Sequence, residues 1–126
     1  MKKVVGAPLV FNGKQIPLSR GISANGFVFV SGQVPLKDGK LSDGDVETQT
    51  RIVLDNVRDI LREAGCTLAD VLKTNVWLTD AADFPRFNAV YAEYFPSEPP
   101  ARSLVVSQLV VNAKVEVEAI ACRPEK

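Results

Sequence analysis

Lys114 to Ala121 reads "KVEVEAIA", and the alternation of its side chains decides which fold the chain can have. Successive side chains of a strand point to opposite faces, so Val115, Val117 and Ala119 share one face while Glu116, Glu118 and Ile120 share the other. The valine face needs a layer of helices, and two upstream segments supply one. From Val46 to Ala64, Val53, Leu54, Val57, Ile60, Leu61 and Ala64 recur at helical spacing, with Asp43 and Asp45 as possible caps and Gly65 as the stop. Phe84, Phe87, Tyr91, Tyr94 and Phe95 then mark one face of a second helix that must end near Pro96, because proline cannot continue a helix.

The remaining segments read as strands. "GFVFVSGQVP" (Gly26 to Pro35) is a β-branched and aromatic run ending at Ser31-Gly32 in a turn or bulge, and "LKDGKL" after it is a hairpin turn. "TLAD" (Thr67 to Asp70) has the start signal of a single helical turn. "VLKTNVWLTD" then alternates as a half-buried strand in which Trp77 packs. Two further strands start near Ala101 and Lys114. The order of strands, helix, strand, helix and two strands predicts an α+β sandwich, a mixed sheet with both helices packed on one face. No repeat, linker or low-complexity segment divides residues 1–126, so one domain is expected.

Composition removes several functions. At 126 residues and 46% hydrophobic, the chain can close a core without disulfides or metal. Fifteen Lys+Arg balance fifteen Asp+Glu, so the field that draws proteins to nucleic acid or anionic membranes is absent. The stretch "MKKVVGAPLVF" lacks the long apolar segment and small-residue cleavage site of an export signal, and a cytoplasmic protein is expected. Cys66 and Cys122 have no CxxC spacing and read as two reduced thiols. There is no histidine, which excludes Ser-His and Cys-His nucleophiles, the common zinc sites and the usual proton shuttle together. Chemistry falls to carboxylates, arginine, hydroxyls, water or backbone, with no metal or cofactor expected.

In "PPARSLVVSQLVV" (Pro99 to Val111) a single cation, Arg102, heads a strand with no acid to balance it. Arg102, Leu104 and Val106 share one face; Ser103, Val105 and Ser107 share the other. Arg102 can be the ion-pair partner of Glu116 or Glu118 across a neighbouring strand, or snorkel to the surface. Alternatively it offers a planar bidentate fork to the carboxylate of a small organic acid. Glu116 and Glu118 are either solvated or part of an interface or cleft.

"SGQVP", "VLDNVRDILREAG", "DFPRFNAVYAEYF", "PPARS" and "KVEVEAIA", in that order and spacing, resemble the RidA family of reactive-intermediate (enamine/imine) deaminases from about Ser19 to Cys122. The resemblance implies a chorismate-mutase-like sandwich assembled as a homotrimer around a central β-barrel, with three sites between subunits. Such packing would cover the outer sheet face, which with Val106 and Ile120 beside charged side chains is unsuited to exposure. Position by position, it makes Arg102 the holder of the substrate carboxylate and Glu116 the group that orients or activates water, with Glu118 structural. Ser31, Gly32 and Asn88 would line the cleft.

Two positions depart from the family pattern. Leu18 stands where many members carry tyrosine, and Leu104 where cysteine is common. Arg20, close by, could supply a second cation and favour a dicarboxylic imine, or lie in a solvent-exposed loop. The implied activity is that of a cofactor-independent 2-iminobutanoate/2-iminopropanoate-type deaminase, which hydrolyses 2-imino acids to 2-oxo acids and ammonia. The alternatives are a non-catalytic trimer binding 2-oxo acids or other small carboxylates, and a ribonuclease or translation inhibitor. Zero net charge and the absence of a basic aromatic surface run argue against the last, and no nucleic-acid or membrane partner is expected.

Overall fold

In the computed structural model, which describes residues 1–124, ten strands and two long helices succeed one another. The strands before the first helix are β1 (Lys3–Val5), β2 (Val10–Phe11), β3 (Lys14–Gln15), β4 (Gly21–Ala24), β5 (Phe27–Gln33), β6 (Leu36–Lys37) and β7 (Lys40–Leu41). Helix α1 (Val46–Glu63), β8 (Val71–Leu78), α2 (Phe84–Tyr94), β9 (Ala101–Val106) and β10 (Val115–Cys122) complete the order.

Helix α1 begins where its sequence says it should. The Asp45 carboxylate accepts from the Thr48 amide at 2.8 Å and satisfies one of the donors a helix start leaves open. Gly65 ends the helix at a φ of 81°, a left-handed conformation that suits a residue without Cβ. The apolar stripe Val53, Leu54, Val57, Ile60 and Leu61 is buried against the sheet, together with Phe87 and Tyr91 of α2. The "LKDGKL" turn is the hairpin β6–β7, with Asp38 and Gly39 both at positive φ. Among the described residues no helix is long and apolar enough to cross a membrane.

Six strands form one mixed sheet in the order β1-β4-β5-β10-β8-β9, antiparallel except for the parallel pair β8–β9. Both helices lie on one face, as the alternation of β10 requires: Val115, Val117, Ala119 and Ala121 are buried beneath them and Glu116, Glu118 and Ile120 point outward. The strand through Ser31-Gly32 does not end there but continues to Gln33. The irregularity is a bulge, since Val30 pairs with Ala119 and Gln33 with Val117, leaving Ser31 and Gly32 both opposite Glu118.

Three expectations need correction. Trp77 is not in the core: Thr74, Val76 and Leu78 take the buried face of β8 and Trp77 stands half-buried on the outer face, opposite Glu116. Val106 does not share the outer face with Ile120. It lies on the same side of β9 as Arg102, and the outward residue is Val105, in register with Trp77. The outer face is nonetheless apolar, with Phe27, Phe29 and Val105 exposed by 41%, 45% and 51%.

The third correction concerns the proposed ion pair. Strand β8 lies between β9 and β10, so Arg102 is not a cross-strand neighbour of either glutamate. It also projects from the helix-side face, whereas Glu116 and Glu118 project from the other. None of the ion pairs among the described residues includes Arg102, Glu116 or Glu118.

Candidate active site

The sequence-predicted residues fall into two groups within one chain. The first surrounds Arg102 on the edge strand β9. Helix α2 presents Phe84, Phe87 and Tyr91 at i, i+3 and i+7, one face of a helix, and the guanidinium carbon lies 5.7, 5.8 and 4.8 Å from the three ring centroids. Attraction to the ring faces holds a cation that has no acid of its own. Asn88, one turn on from Phe84, accepts from Arg102 Nη1 at 2.8 Å through its side-chain carbonyl. The Tyr91 phenol shares a 2.7 Å hydrogen bond with Thr74, and burial pushes its pKa up, so it stays neutral beneath the guanidinium.

Arg102 thus has a fixed orientation and unspent charge. Depressions open on either side of it. One is lined by Ala81, Phe84, Leu104 and Val106, the other by Asn88, Tyr91, Phe95 and Pro100. Leu104 forms part of the first wall, beside Arg102. Phe84 and Tyr91 were legible only as an apolar helix face; the available signal was an aromatic triplet at helical spacing shortly before an arginine that heads a strand without an acid.

The second group is Leu18, Ser31, Gly32 and Glu116. Gly32 lies against Glu116, and a Cβ at this position would collide with the Glu116 carboxylate. Glycine is therefore required for the close approach. Ser31 is committed to structure: its hydroxyl donates to the Ser19 carbonyl at 2.6 Å and its amide to the Arg20 carbonyl at 2.9 Å. It shapes the bulge rather than offering a free hydroxyl. Leu18, Arg20 and Gly32 line a common groove with Asn56 and Glu63 of α1. Arg20 is anchored there, its Nε donating to the Ala7 carbonyl at 2.9 Å.

Glu116 holds its proton more tightly than a free carboxylate, chiefly because it is partly buried and secondarily because Glu118 stands beside it. A raised folded-state pKa stabilises the fold below the unfolded carboxyl range, and the contribution is lost as pH rises through the folded value. Glu116→Gln removes a half-buried charge, so it should raise the melting temperature, more at about pH 8 than at about pH 4. Melts across that range check it, and equal changes at both ends would contradict the assignment. Gly32→Ala should push the carboxylate aside at little cost to the fold, giving a folded protein with at least about tenfold less activity; unchanged turnover would show that Glu116 needs no such placement.

Among the described residues no cluster of three or more Cys, Asp or Glu is arranged to hold a metal, and Cys66 and Cys122 are free thiols.

Residues 13–123 match the family model described as Endoribonuclease L-PSP. A RutC family protein of Pyrococcus horikoshii is 47% identical over 108 residues, covering 83% of this chain and 86% of the relative. Reactive Intermediate Deaminase A, chloroplastic, of Arabidopsis thaliana is 45% identical over 83% of this chain and 58% of its own length. Among solved structures, yeast Mmf1 superposes with a TM-score of 0.90 at 36% identity, covering 98% of this chain and 100% of that one. E. coli TdcF with bound serine gives 0.87 at 34% identity over 97% and 99%.

Proposed function

Since the chain belongs to the Endoribonuclease L-PSP family, which includes the RutC proteins and Reactive Intermediate Deaminase A, we propose that it hydrolyses 2-imino acids, formed from their enamine tautomers, to 2-oxo acids and ammonia. The observation that carries this reading is the state of Arg102, a guanidinium oriented by three rings and Asn88, with no carboxylate partner among the described residues. Its counter-ion arrives with the substrate. A planar fork takes a carboxylate in two parallel hydrogen bonds, and the relative TdcF, described with serine bound, accepts a molecule carrying such a group.

Arg102 and Glu116 cannot meet in one chain, because β8 lies between their strands and their side chains project from opposite faces of the sheet. They meet when a second copy docks, edge strand and Arg102 of one chain against Glu116, Gly32 and Leu18 of the next. Closing the arrangement as a homotrimer covers the exposed Phe27, Phe29 and Val105 as well. In the shared site Arg102 fixes the substrate carboxylate and sets the imine carbon in place, and Glu116 presents water to it. Positioning and acid–base help of about 10² to 10⁴ suit a reaction that proceeds unaided in water.

A panel of 2-imino acids generated by an amino-acid oxidase, trapped with semicarbazide, tests the reading. Suppression of the semicarbazone signal by the protein, strongest for the short imines of the 2-iminobutanoate and 2-iminopropanoate type, is expected. No suppression with any imine, together with 2-oxo acid binding by calorimetry, would make the protein a binding trimer instead. RNA cleavage that persists through purification and disappears on Arg102 substitution would favour the activity in the family's descriptive name.

A further inference from the structure

Asn75 lies outside the two groups of site residues, yet among the described residues it makes the one side-chain hydrogen bond to the outward carboxylates of β10. Its Nδ2 donates to Glu118 Oε2 at 2.8 Å, and the two residues are directly opposed in the β8–β10 register. Glu118 and Glu116 are two residues apart on one strand and project from the same face, about 7 Å along it. Within one chain the neighbouring strands do nothing to neutralise them, and in the shared site the Arg102 of the adjoining copy is taken up by the substrate carboxylate. Strand β5 brings Ser31, Gly32 and Gln33, and β8 brings Trp77 opposite Glu116. Lys73, the only other charged side chain that the two flanking strands place on this face, stands opposite Ile120 and donates to Ser103 at 3.2 Å. The helices lie on the other side of the sheet.

We propose that Asn75 and Glu118 are positioning residues for the imine hydrolysis: Asn75 pins the Glu118 carboxylate, whose fixed charge beside Glu116 makes Glu116 a proton donor as well as a base. This rests on the function proposed above and adds to it the starting protonation state. The upward push on the Glu116 pKa from burial and from Glu118 agrees with the geometry.

The steps balance. Protonated Glu116 gives its proton to the imine nitrogen, making an iminium ion and a carboxylate. Water attacks the carbon, the C–O bond forms as the C=N π pair moves to nitrogen, and Glu116 takes the proton that water releases. Glu116 returns that proton to the nitrogen of the carbinolamine, the C–N bond breaks, ammonia leaves, and the hydroxyl proton passes back to Glu116 as C=O forms. The residue ends protonated, as it began.

Glu118→Gln tests the idea, because the amide oxygen of the replacement can still accept from Asn75 while the charge is gone. The descending limb of the kcat/KM profile should move to lower pH, with roughly two- to tenfold less activity at about pH 7. Asn75→Ala, which leaves the charge but frees it, should move the limb the same way by less. A purely structural pair would lower the melting temperature and leave the limb in place, which would overturn the proposal. A ¹³C NMR titration of the Glu116 carboxyl in the wild-type and Glu118→Gln proteins separates the two readings. An unmoved titration overturns the role of Glu118 whatever the activity; a downward shift in a protein that hydrolyses no imine overturns the proposed reaction and leaves the electrostatic coupling standing.

Discussion

Arg102→Ala should lose at least about a hundredfold in imine hydrolysis while the protein stays folded and assembled. A charge-assisted contact contributes roughly 1.5 to 3 kcal/mol, worth about ten- to a hundredfold in rate at 1.4 kcal/mol per decade, and alanine removes both arms of the fork. Arg102→Lys keeps the charge but offers a point donor on a flexible stem. It should retain attraction to the carboxylate and lose alignment, so kcat should suffer more than KM.

The stability half of this expectation comes from the sheet order. Were Arg102 the partner of Glu116, its removal would strand a buried carboxylate at a cost of about 3 to 5 kcal/mol. With β8 between their strands and the side chains on opposite faces, no such pair exists in the chain. What is lost is stacking on Phe84, Phe87 and Tyr91 and the hydrogen bond to Asn88, about 1 kcal/mol for the cation–π part and a few degrees in melting temperature. Paired measurement of hydrolysis and thermal unfolding decides it. Unimpaired turnover would remove Arg102 from the site, and collapse of the fold would return it to a structural role.

What could be read before the fold was known follows a physical line. Local signals were sufficient for α1, because the Asp45 cap, the apolar stripe and Gly65 all act within a few residues of one another. The two faces of β10 were equally legible, since alternation is a property of the strand itself. Which strand lies beside which is set by pairings between distant residues, and that is where the alternative of an Arg102–glutamate pair failed. Val106 and Trp77 failed for a related reason: each was read as part of an apolar layer, but the layer each joins depends on where its strand sits in the sheet. The aromatic bed of Arg102 and the Asn75–Glu118 contact were hidden because they join α2 to β9 and β8 to β10, segments the sequence keeps apart. Ser31 was read at a turn or bulge, of which the structure shows the bulge inside a strand that runs on to Gln33, and the local run could not reveal that the Ser19 carbonyl already takes its hydroxyl.

Mixing two inactive variants should restore activity, and this is the most direct test that the site is divided between chains. Arg102→Ala spoils the edge-strand half of every site and leaves the Glu116 half intact; Glu116→Gln does the reverse. In a cyclic assembly each interface is heterologous, the edge strand of one chain meeting the outer face of the next. A trimer containing both variants then has one interface at which an intact Arg102 meets an intact Glu116, whichever variant is in the majority. Random co-assembly of equal amounts makes about three quarters of the trimers mixed, so about a quarter of all sites should be whole. Activity should rise from near zero to about 25% of wild type after the variants are unfolded and refolded together, and should stay near zero when they are refolded separately and then combined without exchange. A site built within one chain predicts no recovery under either condition, because every chain in the mixture lacks one of the two groups. Failure to recover with mixed trimers demonstrated by mass spectrometry would therefore overturn the shared site while leaving the roles of Arg102 and Glu116 to be judged on their single variants.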